Sequence, residues 1–324
     1  MARGVAGIFV RRNLRYAMII DILLATFNSE RFLGEQLDSI LKQDDRDWRL
    51  LIRDGGSTDS TLQILEEYQQ KNPEKIKLLP GGRASTMENF AELLKASSAE
   101  LLMFCDHDDY WLSTKISHSR AAFEQREANL PPNTPLLLFT DLQIADENLS
   151  SDDESFFRHE NIDPKRLALR ELLLQNTAPG CTMLFNRALC DLALPIPAEA
   201  FMHDHWLMLT ASALGQIEFL PEKTLLYRQH RDNVFGASGY GVKYFFRKWS
   251  LGAGQIRTRL FRCCLQANAF KERFGDRLKP DELKMLSEFA RLPKAGWLER
   301  RRIICANRIY KSGFLRNFGM FLIV

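Results

Sequence analysis

The sequence predicts an α/β domain built on a mostly parallel sheet, followed by a basic helical C-terminal region. Short apolar runs of strand length alternate with stretches of helical periodicity four times over about 90 residues, the rhythm of repeated strand–helix units. Polar or glycine-containing turns close these runs. Beyond residue 239 the chain turns amphipathic and basic: residues 240–324 hold 19 Lys+Arg against 6 Asp+Glu, leaving 25 against 35 for the remainder.

Taken in order, residues 1–17 form a loose basic extension with one short apolar run, Gly7 to Val10. They lack the longer apolar centre and cleavage site of a signal peptide, and Met18 is a candidate start. Residues 19–25 read as the first strand, ending in Thr26-Phe27-Asn28. Residues 31–43 carry Phe32, Leu37, Ile40 and Leu41 at helical spacing. Residues 48–52 are the second strand, closed by Asp54-Gly55-Gly56. A helix follows over 57–70 with Leu62, Leu65 and Tyr68 on one face. Residues 76–79 are the third strand. Ser85-Thr86-Met87-Glu88 is a capping box opening a helix with Phe90, Leu93 and Leu94. Residues 101–105 are a fourth, buried strand.

From about residue 135 the strand–helix rhythm loosens. A strand is expected at 136–142, an acidic loop at 146–164, a helix at 165–175 and a strand at 182–185. A helix apolar on one face is expected at 203–214, and two further strands at 217–220 and 224–227. The pattern breaks near 238–242, which divides the chain into 1–17, a domain over 18–239 and the helical region 240–324.

Composition bounds the answer. The 324 residues, 45% hydrophobic and 26% charged, suit a soluble globular protein of about two domains and exclude collagen-like or low-complexity architecture. No stretch of about 18 uninterrupted apolar residues is present. The six cysteines show no CxxC or paired framework and read as reduced core thiols of a cytoplasmic protein.

Three clusters carry chemistry. In an open parallel sheet, ligands bind beyond the carboxyl ends of the strands. There the sequence places Thr26, Asn28 and Glu30, then Asp54 and Asp59, then Asp106-His107-Asp108-Asp109. Three acidic side chains in four positions repel one another unless a cation sits among them. The run is either a site for a hard divalent ion with oxygen ligands or a solvated acidic turn in which Asp109 caps the next helix. The second cluster is Met202-His203-Asp204-His205-Trp206. Asp204 is either a helix N-cap or a carboxylate at the rim of an aromatic sugar pocket. The two histidines lack the i, i+4 spacing of a zinc pair, so zinc is rejected. The third is Tyr227-Arg228-Gln229-His230-Arg231-Asp232-Asn233, whose cations suit phosphate. His230 is either a metal or phosphate ligand or an exposed loop histidine.

In series, these segments resemble the family 2 glycosyltransferases with a GT-A fold, and among them the bacterial rhamnosyltransferase-like members. The carrying segments are LLATFNSERFLGEQLDSILKQ, LLIRDGGSTDSTLQIL, LLMFCDHDDYWLSTKI, LLLFTDLQIADENL, NTAPGCTMLFNRALCDLALPIP, MHDHWLMLTASALG and LLYRQHRDNVFGA. The resemblance implies a nucleotide-diphosphate sugar donor (dTDP- or UDP-linked), Mg²⁺ or Mn²⁺, and inversion at the anomeric carbon. It implies that Asp108 ligates the metal, that Asp106 reaches the ribose or the metal's waters, and that Asp109 supports them. Asp204 matches the catalytic base, and His230 a residue that approaches the metal or the diphosphate. Thr26, Asn28, Glu30 and Asp54 fall where relatives bind the nucleoside, and Asn89 in a donor-contacting segment. Gly180, Cys181 and Thr182 fall near the sugar or acceptor.

Two departures stand out. Relatives carry a second aspartate before Gly-Ser, where this chain has Gly55. They commonly carry Trp where it has His205. The expected acceptor is a glycan or lipid-linked glycan of a bacterial surface polysaccharide. Residues 240–324 either pack as a small helical subdomain or lie on the cytoplasmic face of the inner membrane, where each basic residue near anionic lipid contributes about 1 kcal/mol. No nucleic-acid motif accompanies the charge. The competing classes are a nucleotidyltransferase, against which the glycine-free ATFNSERF loop argues, and a non-catalytic sugar-nucleotide-binding protein on the membrane.

Overall fold

The computed structural model describes residues 18–230 and 253–323. The expected extension 1–17 and the expected boundary at 238–242 lie outside the described residues. The strands are β1 (Ile20–Thr26), β2 (Trp48–Asp54), β3 (Ile76–Leu78), β4 (Leu101–Cys105), β5 (Tyr110–Trp111), β6 (Leu136–Ala145), β7 (Met183–Asn186) and β8 (Gln216–Arg228). They form one sheet in the order β3-β2-β1-β4-β7-β6-β8-β5. The first half is parallel, as the strand–helix rhythm requires. β7 enters antiparallel between β4 and β6, and β6 runs parallel with β8.

All seven residues of β1 are buried, so its alternate side chains face two cores. Ile20, Ile22 and Leu24 pack with α1 (Leu33–Leu41), α2 (Thr61–Lys71) and α4 (Lys115–Glu127). Leu23 and Ala25 pack with α3 (Thr86–Ala96) and α8 (His203–Leu214) on the opposite face. Asp21 is fully buried in β1, where it accepts two hydrogen bonds from Arg49 (2.9 and 3.1 Å) and one from Ser97 Oγ (2.7 Å). A buried carboxylate is tolerated when so paired.

The second half of the sheet differs from the sequence pattern. The two strands expected at 217–220 and 224–227 are one long strand, β8. Its partner β6 shifts register around Asp141, leaving Pro221 and Glu222 as a bulge that interrupts the apolar pattern but not the strand. The helix expected at 165–175 shortens to α6 (Leu169–Leu172), and the acidic loop contains a single turn, α5 (Phe156–His159). The capping box at Ser85 and Glu88 forms as expected. Five cysteines are buried thiols, whereas Cys305 is exposed.

The C-terminal helices are α9 (Ala253–Phe274), α10 (Pro280–Ala290), α11 (Trp297–Ala306) and α12 (Phe314–Ile323). They extend the α3/α8 core: Leu260, Phe270, Phe289 and Ile304 belong to the same apolar cluster as Phe90 and Trp206. Phe270 meets the Trp206 indole edge-on at 5.3 Å. The Arg273 guanidinium fastens α9 to the last turn of α7 (Arg187–Ala193) and the residues after it, donating to the carbonyls of Leu192, Ala193, Leu194 and Pro195.

Candidate active site

The carboxyl ends of β1 and β2 meet in register at Thr26 and Asp54. Asp54 sits in a closed ring of donors. Its Oδ1 accepts from Thr26 Oγ1 (2.9 Å) and Ser57 Oγ (2.6 Å), and its Oδ2 from the amides of Gly56 (2.9 Å) and Ser57 (2.8 Å). With four donors committed, this carboxylate shapes the turn. Asn28 and Glu30 staple the β1–α1 loop to the β2–α2 loop: Asn28 Oδ1 accepts from the Thr58 amide (2.9 Å) and Glu30 Oε2 from the Ser60 amide (2.9 Å). Both are turned toward that loop, while Thr26 lines the neighbouring cleft.

Gly55 explains itself sterically. A Cβ there would stand 2.8 Å from Asn89 Nδ2 and 3.3 Å from the carbonyl oxygens of Ala84 and Thr26. The Asn89 carboxamide, 2% exposed and held through its oxygen by Arg53, fills the space a side chain at 55 would need.

The acidic run follows β4. His230 Nε2 lies 2.9 Å from Asp108 Oδ2, so β8 brings the expected histidine to the expected ligand. Asp106 lines the same cleft as Asp204: burial first, then the charges of Asp108 and Asp204, push its carboxyl up to about 7. Asp109 does not cap a helix; Thr114 precedes α4 instead. It is fully buried, accepts the Arg228 amide (3.3 Å), and its carboxyl is pushed well above the usual range by burial and by Asp108 and Asp106. Ligand atoms of Asp106, Asp109 and Cys181 lie within 4.8 Å of one another. Burial raises the Cys181 thiol as well, so this inner trio reads as a protonated network behind the outward carboxylates.

The donor set fits a hard divalent cation. Asp106 and Asp108 offer oxygens and His230 a borderline nitrogen, and Asp109 Oδ2 is buried with no partner among the described residues. Burial first, and then the charges of Asp108 and Asp204, raise the Asp106 carboxyl, and a cation would offset the second of these causes. Asp108 and His230 pair at 2.9 Å, while Asp106 converges with Asp109 and Cys181 rather than with that pair.

Arg228 was expected to hold phosphate, and the structure gives it other work. It is 1% exposed. Its Nε donates to the Asp108 carbonyl (2.8 Å), its other nitrogens reach Glu147 O and Glu35, and its guanidinium lies 4.4 Å from the Phe32 ring centroid. Phe32 also packs against His230 at 4.9 Å. Arg228 is thus the buried anchor of the Asp106–Asp109 loop. Arg231, Asp232 and Asn233 lie outside the described residues.

Asp204 opens α8 across the cleft. Its Oδ1 accepts the His205 amide (2.6 Å) and its Oδ2 accepts from Asn176 Nδ2 (2.9 Å). Burial pushes its carboxyl up to about 6, with the His205 and Gly180 amides and Asn176 opposing. A Cβ on Gly180 would come within 3.3 Å of Asp204 Cβ, so the small residue lets the preceding loop close on the carboxylate. Cys181 and Thr182 are buried beneath it in the turn Gly180–Thr182. His203 stacks on Phe90 (3.8 Å between centroids), and His205 binds Leu172 O (2.6 Å) and Gln266 (3.3 Å). Burial lowers these imidazoles to about 3 and about 4, respectively, which keeps both neutral.

One cleft of about 1210 Å³ gathers Thr26, Asn89, Asp106, Asp108, Gly180 and Asp204, and α9 and α12 contribute its far wall. Residues 21–132 match the model of the glycosyl transferase family 2. Over those residues the chain is similar to the family 2 glycosyltransferases. It is 28% identical over 240 residues to the dTDP-rhamnosyl transferase RfbG of Shigella flexneri, spanning 68% of this chain and 76% of that one. It is 24% identical over 228 residues to the poly(ribitol-phosphate) beta-N-acetylglucosaminyltransferase TarS of Staphylococcus aureus, spanning 69% of this chain but 38% of that one. The structure of TarS 1–349 in complex with UDP-GlcNAc superposes with a TM-score of 0.53 at 19% identity, over 89% of this chain and 83% of TarS 1–349. The fold of this glycosyltransferase is therefore GT-A.

Sequence reasoning missed two residues in and behind the candidate site. Asn176 orients Asp204, and as the middle of the polar run Gln175-Asn176-Thr177 it carries no local mark of that role. Lys115 is fully buried behind Asp109, donating to Thr224 Oγ1 (3.1 Å), and burial lowers its ammonium to about 8. Its position after Thr114 gives no sign of that environment.

Proposed function

We propose that this glycosyltransferase is inverting and metal-dependent. In this reading it moves a sugar, with rhamnose from dTDP-rhamnose as the first candidate, from a nucleotide-diphosphate donor to a glycan or lipid-linked acceptor of a bacterial surface polysaccharide. The carrying observation is that Asp106 and Asp108 open onto the same cleft as Asp204, while Asp204 is fixed by donors of its own. Asp106, Asp108 and His230 would hold Mg²⁺ or Mn²⁺, which supplies charge neutralisation at a departing diphosphate. Thr26 and Asn89 bound the nucleoside end of the cleft. Asp204, oriented by Asn176 and the His205 amide, takes the proton of the acceptor hydroxyl as that oxygen attacks. With its carboxyl at about 6, Asp204 is mostly ionised at neutral pH and still basic enough to accept a proton.

Rhamnose is favoured by the likeness to RfbG, and a UDP-sugar by the TarS relative. Peripheral contact of the C-terminal region with the inner membrane belongs to the same reading. The test is a thermal-shift screen of nucleotide sugars with and without Mn²⁺, since a bound donor stabilises the fold by mass action. A metal-dependent rise with one donor is expected. No response to any sugar nucleotide in the presence of Mn²⁺ defeats the reading.

A further inference from the structure

Helix α12 has two faces with different fates. Leu315, Gly319 and Met320 line the cleft, whereas Phe314, Phe318 and Leu322, spaced one turn apart, are 78, 47 and 49% exposed. The N-terminal turn of α11 joins this ridge. Trp297 and Leu298 are 60 and 74% exposed, and Arg301, lying 3.6 Å over the Trp297 ring, donates to the Phe321 carbonyl. Trp297, Leu298, Phe314 and Leu322 thus leave much apolar surface exposed on two touching helices, and burying it would be favourable. Arg301 and Arg302 follow Trp297 and Leu298 one helical turn on. Residues 253–323 as a whole hold 16 Lys+Arg against 6 Asp+Glu.

We propose that this ridge of Trp297, Leu298, Phe314 and Leu322 docks on an anionic lipid bilayer. The inference deepens the acceptor side of the function proposed above and rests on that reading. Aromatic and leucine side chains with arginines one turn behind them match the interfacial depth of a membrane, the rings at the acyl boundary and the cations at the headgroups. The charge selects this occupant over a second copy of the chain, which would bring like-charged helices face to face. Insertion is shallow, because α12 spans ten residues and no helix among the described residues is long and apolar enough to cross a membrane. Since α12 is also a wall of the cleft, docking holds the cleft at headgroup level, where the hydroxyls of a lipid-anchored glycan stand.

The test uses the full chain in co-sedimentation with phosphatidylglycerol/phosphatidylethanolamine vesicles and with phosphatidylcholine vesicles, at about 0.1 and 0.5 M salt. Wild type should bind the anionic vesicles at least about tenfold more tightly than the neutral ones, with affinity falling at high salt. Trp297→Ser/Phe314→Ser should lose at least about tenfold of that affinity and keep the donor-induced thermal shift. Absence of vesicle binding by wild type, or equal binding by the variant, overturns the proposal. So does a wild-type dimer in solution that the same substitutions dissociate, since the face then belongs to a second copy. A donor thermal shift that fails while vesicle binding holds would remove the proposed function and leave the docking surface standing.

Discussion

Replacing Asp204 with Asn separates catalysis from folding because the two effects have opposite origins. Ionising a carboxyl displaced from 3.8 to about 6 costs about 3 kcal/mol in place, an upper bound for a group partly open to the cleft. A neutral carboxamide would remove that cost. It would also put an NH₂ group where Asp204 accepts from Asn176 or from the His205 amide, forfeiting one or two hydrogen bonds at roughly 1–2 kcal/mol each. These terms nearly cancel, so the melting temperature near neutral pH should stay within a few degrees of wild type. Turnover should fall by about 10² to 10⁴, the range for loss of a general base. The pH profile gives a second readout. Protonated Asp204 cannot accept a proton, so wild-type kcat/KM should fall about tenfold per pH unit below about 6, and the Asn variant should lack that limb. The folded-state carboxyl is raised, so its contribution to stability is full below pH 3.8 and fades as pH rises through about 6. The Asn variant therefore gains on wild type with rising pH. The assay is transfer from whichever donor gives the largest metal-dependent thermal shift. Turnover within about tenfold of wild type would refute the role of Asp204, and an acid limb surviving in Asp204→Asn would assign it to another group.

Chelation by EDTA should weaken nucleotide binding at least about tenfold by calorimetry, and Asp108→Ala should make binding insensitive to added Mn²⁺; equal affinity with and without the ion removes the metal role. Gly55→Asp should cost about 1–3 kcal/mol because its Cβ meets Asn89 Nδ2 and two carbonyls, and Asn89→Ala should return part of that cost. A thermal-denaturation double-mutant cycle showing no coupling would contradict the packing. Arg228→Met should destabilise by about 1–3 kcal/mol by leaving two loop carbonyls without their donor, while the exposed Glu35 is rehydrated. It should also raise the Mn²⁺ concentration needed for half-maximal activity more than about tenfold, whereas unchanged metal activation would limit Arg228 to the fold alone.

Residues 18–105 were legible because every strand there is parallel, rich in buried apolar residues and followed by its own helix or turn, so the period of the pattern changes at each boundary. Strand ends were legible for the same reason: Thr26, Asp54 and Asp106 fall where runs of apolar residues stop, and of these Thr26 and Asp106 line the cleft while Asp54 holds its own turn. The second half resisted because register is not written in composition. β8 looks like two strands when Pro221-Glu222-Lys223 interrupts its apolar residues, and only pairing with β6 shows that two of those residues bulge. Arg228 misled for a related reason. Beside Arg231 and His230 it reads as part of an exposed cationic cluster, but the strand carries it under the acidic loop, where Glu35 from α1 and Glu147 from the β6 loop meet it. Partners 193 and 81 positions away leave no local trace.

The aspartates in and beside this cleft differ mainly in how many donors surround them, and that difference assigns their work. Asp54 has four donors and no capacity left, so it shapes a turn. Asp204 has the His205 amide and Asn176, enough to fix its orientation, and nothing cationic among the forces on its proton. Asp106 has little more than the Cys181 thiol and faces two other carboxylates, so its ionised form lacks compensation within the protein. A group like Asp54 cannot exchange protons without undoing its loop. A group like Asp106 calls for an external cation before it can stay charged. Of the three, Asp204 alone combines fixed geometry with a proton affinity near neutral pH. If a carboxylate in this cleft removes a proton from an incoming hydroxyl, its neighbours are already committed elsewhere, and Asp204 is the one that remains.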